Sequence, residues 1–167
     1  MNLVNHSIGV RNFKYTLFVT FLLGMLTAFG PFVTDMYLSA LPAMVESFDT
    51  SASMVQLSLT CCMVGLGLGQ LAFGPLSDRY GRKPLLVGTI LFYILSTLFC
   101  LYSDTICLFV LFRLFQGMAA SGSIVIARSI ATDLYDGHQL AKMLAVVGSI
   151  NGFAPVLAPV IGGMMVK

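Results

Sequence analysis

Two oppositely charged residues stand where charge is costly. Asp35 lies within the apolar stretch YTLFVTFLLGMLTAFGPFVTDMYLSALPAM, and Arg113 lies within the apolar run that follows Asp104. A charge deep in hydrocarbon is rare without a partner or a water-filled cavity. Asp35 precedes Pro42 by seven residues, about 10 Å of helix from the outer end of its span. Arg113 follows Asp104 by nine residues, about 13 Å of helix. Two antiparallel helices would therefore hold the two groups at similar depth. A carboxylate that can alternate between charged and neutral, near a fixed cation, suits coupling of protons or of a ligand to movement, not bond making. Two other readings stay open. One is a buried ion pair that only fixes helix packing. The other is an Asp35 close enough to the interface to be solvated.

A second cluster lies in the short segment GPLSDRYGRKP, which carries Gly74, Asp78, Arg79, Gly81, Arg82, Lys83 and Pro84. Gly81 suits a tight turn, and Pro84 can open the helix that follows. One reading is an ordinary basic loop. The other is a built cluster, in which Asp78 pairs with a base on the loop or on a neighbouring helix end.

The elements that must position these groups are membrane spans. Charged residues are 10% of the 167 residues and hydrophobic residues 57%, against about 25% charged in a soluble domain. Mean hydropathy is +0.92. So few polar side chains could not cover a soluble domain, and so much apolar surface excludes disorder. The fold class is all-α integral membrane. Spans of about 20 apolar residues are expected over roughly 15–41, 53–74, 85–103, 106–130 and 143–166, as one bundle. Gly65 and Gly69 form a GxxxG step, which lets another helix approach closely. The polar run after Pro42, with Glu46 and Asp49, reads as a short loop.

Loop charges give an orientation. Arg11 and Lys14 precede the first span; Glu46 and Asp49 follow it; Arg79, Arg82 and Lys83 follow the second; Asp104 follows the third; Arg128 and Lys142 flank the loop after the fourth. Bases alternate with their absence, which places the N-terminus in the cytoplasm. No GxxxxGK[ST] phosphate loop, dinucleotide fingerprint or metal-ligand spacing occurs. No cofactor, metal or nucleic-acid partner is expected, nor an enzyme. Cys61 and Cys62 read as small apolar fillers. Cys100 and Cys107 flank the outer turn, where a disulfide stays open.

Four segments carry a family resemblance. GPLSDRYGRKPLL resembles the loop element GxLaDrxGRkxxl of the major facilitator superfamily. RLFQG, Arg113 to Gly117, resembles that family's RxxQG element, and APVLAPVIGG, Ala154 to Gly163, its antiporter element GxxxGPxxGG. DMYLSALPAM is similar to the DMYLPALP of the Bcr/CflA drug-resistance branch. The elements fall in family order and cover nearly the whole chain. The resemblance implies a drug:proton antiporter of the bacterial inner membrane, with twelve spans in two six-helix halves. It implies that Asp78, with Arg79, Arg82 and Lys83, joins an interlock with the far half that stabilises the outward-facing state. It associates Arg113 with proton transfer, Asp35 with coupling or cation recognition, and Ala154, Ala158, Pro159, Gly162 and Gly163 with the bent helix of exporters.

Departures from the pattern have physical consequences. Ala154 and Ala158 replace glycines but remain small, and Pro155 is an added proline. Ser39 replaces a proline, which leads to the expectation of a straighter outer end for the first span. Length departs most. About five spans of the N-terminal six-helix bundle are expected, a partial major facilitator fold. Alternating access needs two bundles rocking about a central site. The expectation is therefore a truncated chain that does not transport alone. Its full-length parent would take lipophilic drugs and protons, and the missing C-terminal half would be its packing partner. The alternatives are a non-transporting membrane fragment or a small helical membrane protein with a structural or regulatory role, a homo-oligomeric pore having least support.

Overall fold

The computed structural model describes the backbone of residues 13–165; the side chains of 13–15, 29, 33, 154, 155, 158–160, 162, 163 and 165 lie outside the described residues. The described chain is helical: α1 (Phe13–Leu38), α2 (Leu41–Ser47), α3 (Ala52–Tyr80), α4 (Arg82–Leu101), α5 (Ile106–Leu134) and α6 (Gly137–Met165). Among the described residues, the segments long and apolar enough to cross a membrane are Thr16–Leu38, Ala52–Tyr80, Arg82–Leu101 and Ile106–Leu134.

Local chemistry sets the boundaries. Ser51 and Thr105 each accept a backbone N–H with the side-chain oxygen, from Met54 and Leu108, and so cap α3 and α5. Gly81 has φ +89°, which a side-chain-bearing residue adopts only at a cost, and it alone separates α3 from α4. Pro75 sits inside α3, which continues to Tyr80. α1 likewise runs through Pro31.

The outer end of α1 differs from the expectation. The helix stops at Leu38, a turn at Ser39 and Ala40 follows, and Leu41–Ser47 forms a separate short helix with Pro42 in its first turn. Proline suits that position because its missing N–H would have no helical partner there. Replacing the family's proline by Ser39 therefore does not straighten this end. The segment with Glu46 is part helix rather than loop. Leu41, Met44, Val45 and Phe48 pack on a cluster of Tyr37, Val55 and Phe109, so α2 covers one end of the bundle.

α5 is the central helix. It packs against α3, α4 and α1, and it buries a nearly continuous run from Gly117 to Ala127. The α3–α5 contact is the closest. A Cβ on Gly65 would collide with the backbone of Leu114, one on Gly69 with Ser121 and Met118, and one on Gly117 with Cys62. These glycines permit backbone contact, as the GxxxG step implies. α6 packs against α1, where Ile150 lies against Gly24. The outer faces carry large apolar side chains such as Leu71, Leu91, Phe99 and Met164. Such a surface suits lipid, where apolar contact needs no protein cover.

Candidate functional site

A polar cluster links four helices in the apolar interior. Arg113 of α5 is 5% exposed, as is Gln116 one turn along. Arg113 Nη1 donates to Gln116 Oε1 at 2.6 Å, and Gln116 Nε2 donates to Thr97 Oγ1 of α4 at 2.8 Å. Thr97 in turn donates to the carbonyl of Tyr93 at 2.8 Å. On the other side the guanidinium lies 4.0 Å from the centroid of the Tyr37 ring of α1. The Tyr37 hydroxyl is hydrogen-bonded to Ser58 Oγ of α3. Nε and Nη2 of Arg113 are buried and make no hydrogen bond to protein.

Burying an ionised group costs several kcal/mol, by order of magnitude about 1–3 for each polar atom left unpaired. One charged hydrogen bond and one desolvated cation–π contact offset that by about 1.5–3 and about 2 kcal/mol. The cation is held by neutral groups, with hydrogen-bonding capacity left over.

Asp35 lies in the last turn of α1 and is half-buried; Thr34 Oγ1 donates to its Oδ1 at 3.3 Å. Because α1 stops at Leu38, Asp35 is nearer the helix end than counting to Pro42 suggests. Among the described residues the ion pairs are Arg82–Asp78 and Arg82–Asp133, so Arg113 has no carboxylate partner there. The reason is helical geometry. Asp35 and Tyr37 are two residues apart, about 200° around the helix. With Tyr37 turned to α5, Asp35 is turned away from it.

The second cluster closes the opposite end of the α4–α5 hairpin. Arg82 Nε and Nη2 donate to the two carboxylate oxygens of Asp133 at 3.0 and 3.2 Å, a forked contact. Its Nη1 donates to Asp78 Oδ1 at 2.7 Å and to the buried Ser77 hydroxyl. Arg82 thus ties the end of α3 and the start of α4 to the end of α5. Arg79 lies over the Tyr80 ring at 5.5 Å. Lys83 is exposed, and the Cβ position of Gly74 meets nothing within 4 Å. All four cysteines are free thiols. Ala154, Ala158, Pro159, Gly162 and Gly163 lie on the α6 backbone, with their side chains outside the described residues.

The sequence reading assigned no role to Tyr37, Ser58, Thr97 or Asp133, and it used Gln116 only as part of a motif. Gln116 had a signal, since it stands three residues from Arg113 on one helix face. Asp133 had only its place at a span end. Tyr37, Ser58 and Thr97 had none beyond being polar in apolar runs.

Comparison with known proteins settles the family. The family model described as Major Facilitator Superfamily matches residues 16–167. The chain belongs to the major facilitator superfamily. The family comprises transporters rather than enzymes, and a membrane-embedded bundle of several long apolar helices accords with it. The chain is 46% identical over 151 residues to an uncharacterized MFS-type transporter, YdgK, of Bacillus subtilis, covering 90% of this chain and 37% of that protein. It is 35% identical to a chloramphenicol resistance protein of Pseudomonas aeruginosa, covering 93% and 38%. It is 32% identical to a bicyclomycin resistance protein homolog of Haemophilus influenzae, covering 92% and 39%. The chain therefore spans a little under two-fifths of the length of these curated relatives.

Proposed function

We propose that this chain forms part of the N-terminal bundle of a proton-coupled multidrug exporter of the Bcr/CflA branch. The observation that carries the reading is Arg113, a buried cation with unused donors, packed against the helix that bears Asp35. The similarity to proteins named for chloramphenicol and bicyclomycin resistance supports a small lipophilic drug as the substrate class. Asp35 is the carboxylate that takes and releases the proton, and Arg113 is the fixed cation of the same bundle. Gly74, Asp78, Arg79, Gly81, Arg82 and Lys83 form the gating loop. Ala154, Ala158, Pro159, Gly162 and Gly163 form the small-residue segment of the exporter helix. The second half of the transporter supplies the other wall of the cavity, and these residues by themselves do not transport.

The bundle lies in the inner membrane with its N-terminus in the cytoplasm, on the strength of its loop charges. Alkaline phosphatase fused after Asp49 or Asp104 is expected to be active, and after Lys83 inactive; the reverse pattern rejects the orientation.

Coupling is tested in everted vesicles carrying the continuous, complete reading frame. Drug-induced proton flux, normalised to protein amount, is expected to fall to the background of empty vesicles in Asp35→Asn, with abundance nearly normal. Asn keeps the size of the side chain but cannot exchange a proton. Unchanged flux would reject Asp35 as the coupling group.

A further inference from the structure

The short helix α2 is held differently from the spans. Leu41, Met44, Val45 and Phe48 stand at i, i+3, i+4 and i+7, one face of a helix, and that face packs on Tyr37, Val55 and Phe109. Pro42, Ala43, Glu46 and Ser47 on the other face are exposed or nearly so. No residue of α2 is itself buried, yet Val55 beneath it is 0% exposed. Its backbone bonds are local. Met44 N–H donates to the Ala40 carbonyl at 3.1 Å, and the far end closes on itself: Asp49 N–H donates to Glu46 at 3.3 Å and Thr50 N–H to Val45 at 3.2 Å. Asp49 takes the left-handed φ, +44°, that such a closure uses. Among the described residues, no side chain of α2 makes a hydrogen bond or ion pair to another helix. Seven residues are too few to hold a helix alone. Apolar contact with its seat is therefore what orders α2, and off that seat it swings or unwinds without breaking a polar contact to its neighbours.

Beneath the seat a column of side chains leads to Arg113. Phe48 lies against Phe109 with ring centroids 5.3 Å apart, Phe109 near Tyr37 at 6.2 Å, and Tyr37 over the guanidinium at 4.0 Å. Phe109 stands four residues before Arg113 on α5, on the same helix face. At the foot of the column Nε and Nη2 of Arg113 are buried with no hydrogen bond to protein, a cost that lasts until water or a ligand supplies acceptors. We propose that α2 is a lid: seated, it keeps water from Arg113 at the end of the bundle away from Arg82, and off its seat it lets water reach the guanidinium. That this access serves a transport cycle rests on the proton-coupled reading; the lid itself does not.

Two measurements on the complete protein, solubilised in detergent, test the lid without transport. The first is amide hydrogen exchange in wild type. Amides of residues 44–48 are expected to exchange about 100-fold faster than those of residues 55–59 at the same end of the bundle, because α2 opens by itself while α3 stays folded. Equal protection would make α2 a fixed part of the bundle and overturn the proposal. The second is thiol modification by a small quaternary-ammonium methanethiosulfonate, in proteins that each keep one cysteine. Cys100 packs on the seat itself. Cys62 is 0% exposed, four residues beyond the Ser58 that meets the Tyr37 hydroxyl, with its backbone against Gly117. Phe48→Ala is expected to speed modification of both thiols by about tenfold or more, because truncating the ring removes much of what seats the helix. Glu46→Gln, on the outer face, is expected to change neither rate. Rates unmoved by Phe48→Ala, or raised as much by Glu46→Gln, overturn the lid; a rise at Cys100 without one at Cys62 overturns its control of access to Arg113. Where Phe48→Ala fails to fold, Phe48→Leu and the wild-type exchange decide. Unchanged flux in Asp35→Asn would reject the coupling reading, while exchange and modification still decide the lid.

Discussion

Arg82 and Arg113 are the same residue in opposite halves of the α4–α5 hairpin, and their surroundings are inverted. Arg82 is partly exposed and has two carboxylates, Asp78 and Asp133. Arg113 is buried and, among the described residues, meets no carboxylate but an amide and an aromatic face. Stability alone would select the reverse arrangement. A surface ion pair contributes little, whereas a buried charge without a counterion is expensive. The paired arginine is therefore read as a fastener, and the unpaired one as a group kept for what it does.

That contrast is sharpest in Arg113→Met. The substitution keeps an unbranched apolar stem and removes the charge. It is expected to bring drug transport by the complete protein to background. Stability should change little, because two terms oppose. Relief from burying the charge is favourable by about 1–4 kcal/mol. The acceptor orphaned on Gln116 costs about 1–3 kcal/mol. Thermal unfolding in detergent and vesicle transport measure the two separately. A large drop in melting temperature would make Arg113 a structural residue and erase the difference from Arg82.

The two arginines were not equally legible in the sequence. Arg113 stood out because a base in an apolar run needs an explanation. Its expected partner was Asp35, by depth alone, and depth carries no information about which way a side chain turns around its helix. Tyr37 faces α5 instead, and apolar runs give no periodicity from which to read that, since lipid and protein faces are both apolar. Arg82 was visible as part of a basic loop with Asp78 four residues before it. Its second partner, Asp133, comes from a helix end that only folding brings near. The glycine step on α3 was legible because small residues in a membrane helix have a specific packing use. The break at Leu38 was not, because no charge or glycine marks it.

The close α3–α5 approach at Gly65, Gly69 and Gly117 lies beside Arg113, whereas Arg82 joins the same helices at their far ends, so disturbing the approach tests the Arg113 region first. Gly117→Leu places a side chain where a Cβ already collides with the Cys62 backbone. Overpacking of this kind costs about 1–3 kcal/mol, and a backbone neighbour cannot rotate away. The fraction of protein monodisperse in detergent is expected to fall severalfold. Gly67→Ala, where nothing lies within 4 Å, is expected to leave it unchanged. Equal tolerance at both positions would show that the close approach does not hold the cluster.

The smallest effect is expected where the ion pairs are most complete. Arg82→Gln removes the forked contact to Asp133 and the bond to Asp78 together. Both acids are more than half exposed and can return to water, so neither is left as a buried unpaired charge. The loss of stability should be near the detection limit of a thermal melt. It should shrink further at about 1 M salt, where screening acts over about 3 Å. If the cluster fastens one conformation, transport should change more than stability does, by less than about tenfold, the equivalent of 1.4 kcal/mol in a conformational equilibrium. Exchanging the charges, with Arg82→Glu and Asp133→Arg together, is expected to recover part of that loss, since the α4–α5 pair is restored while Asp78 faces a like charge. No recovery would place the role of Arg82 with Asp78 and Ser77 rather than with α5. A melt that collapses in Arg82→Gln would go further, and would make the partly exposed arginine a structural keystone rather than a fastener of one conformation.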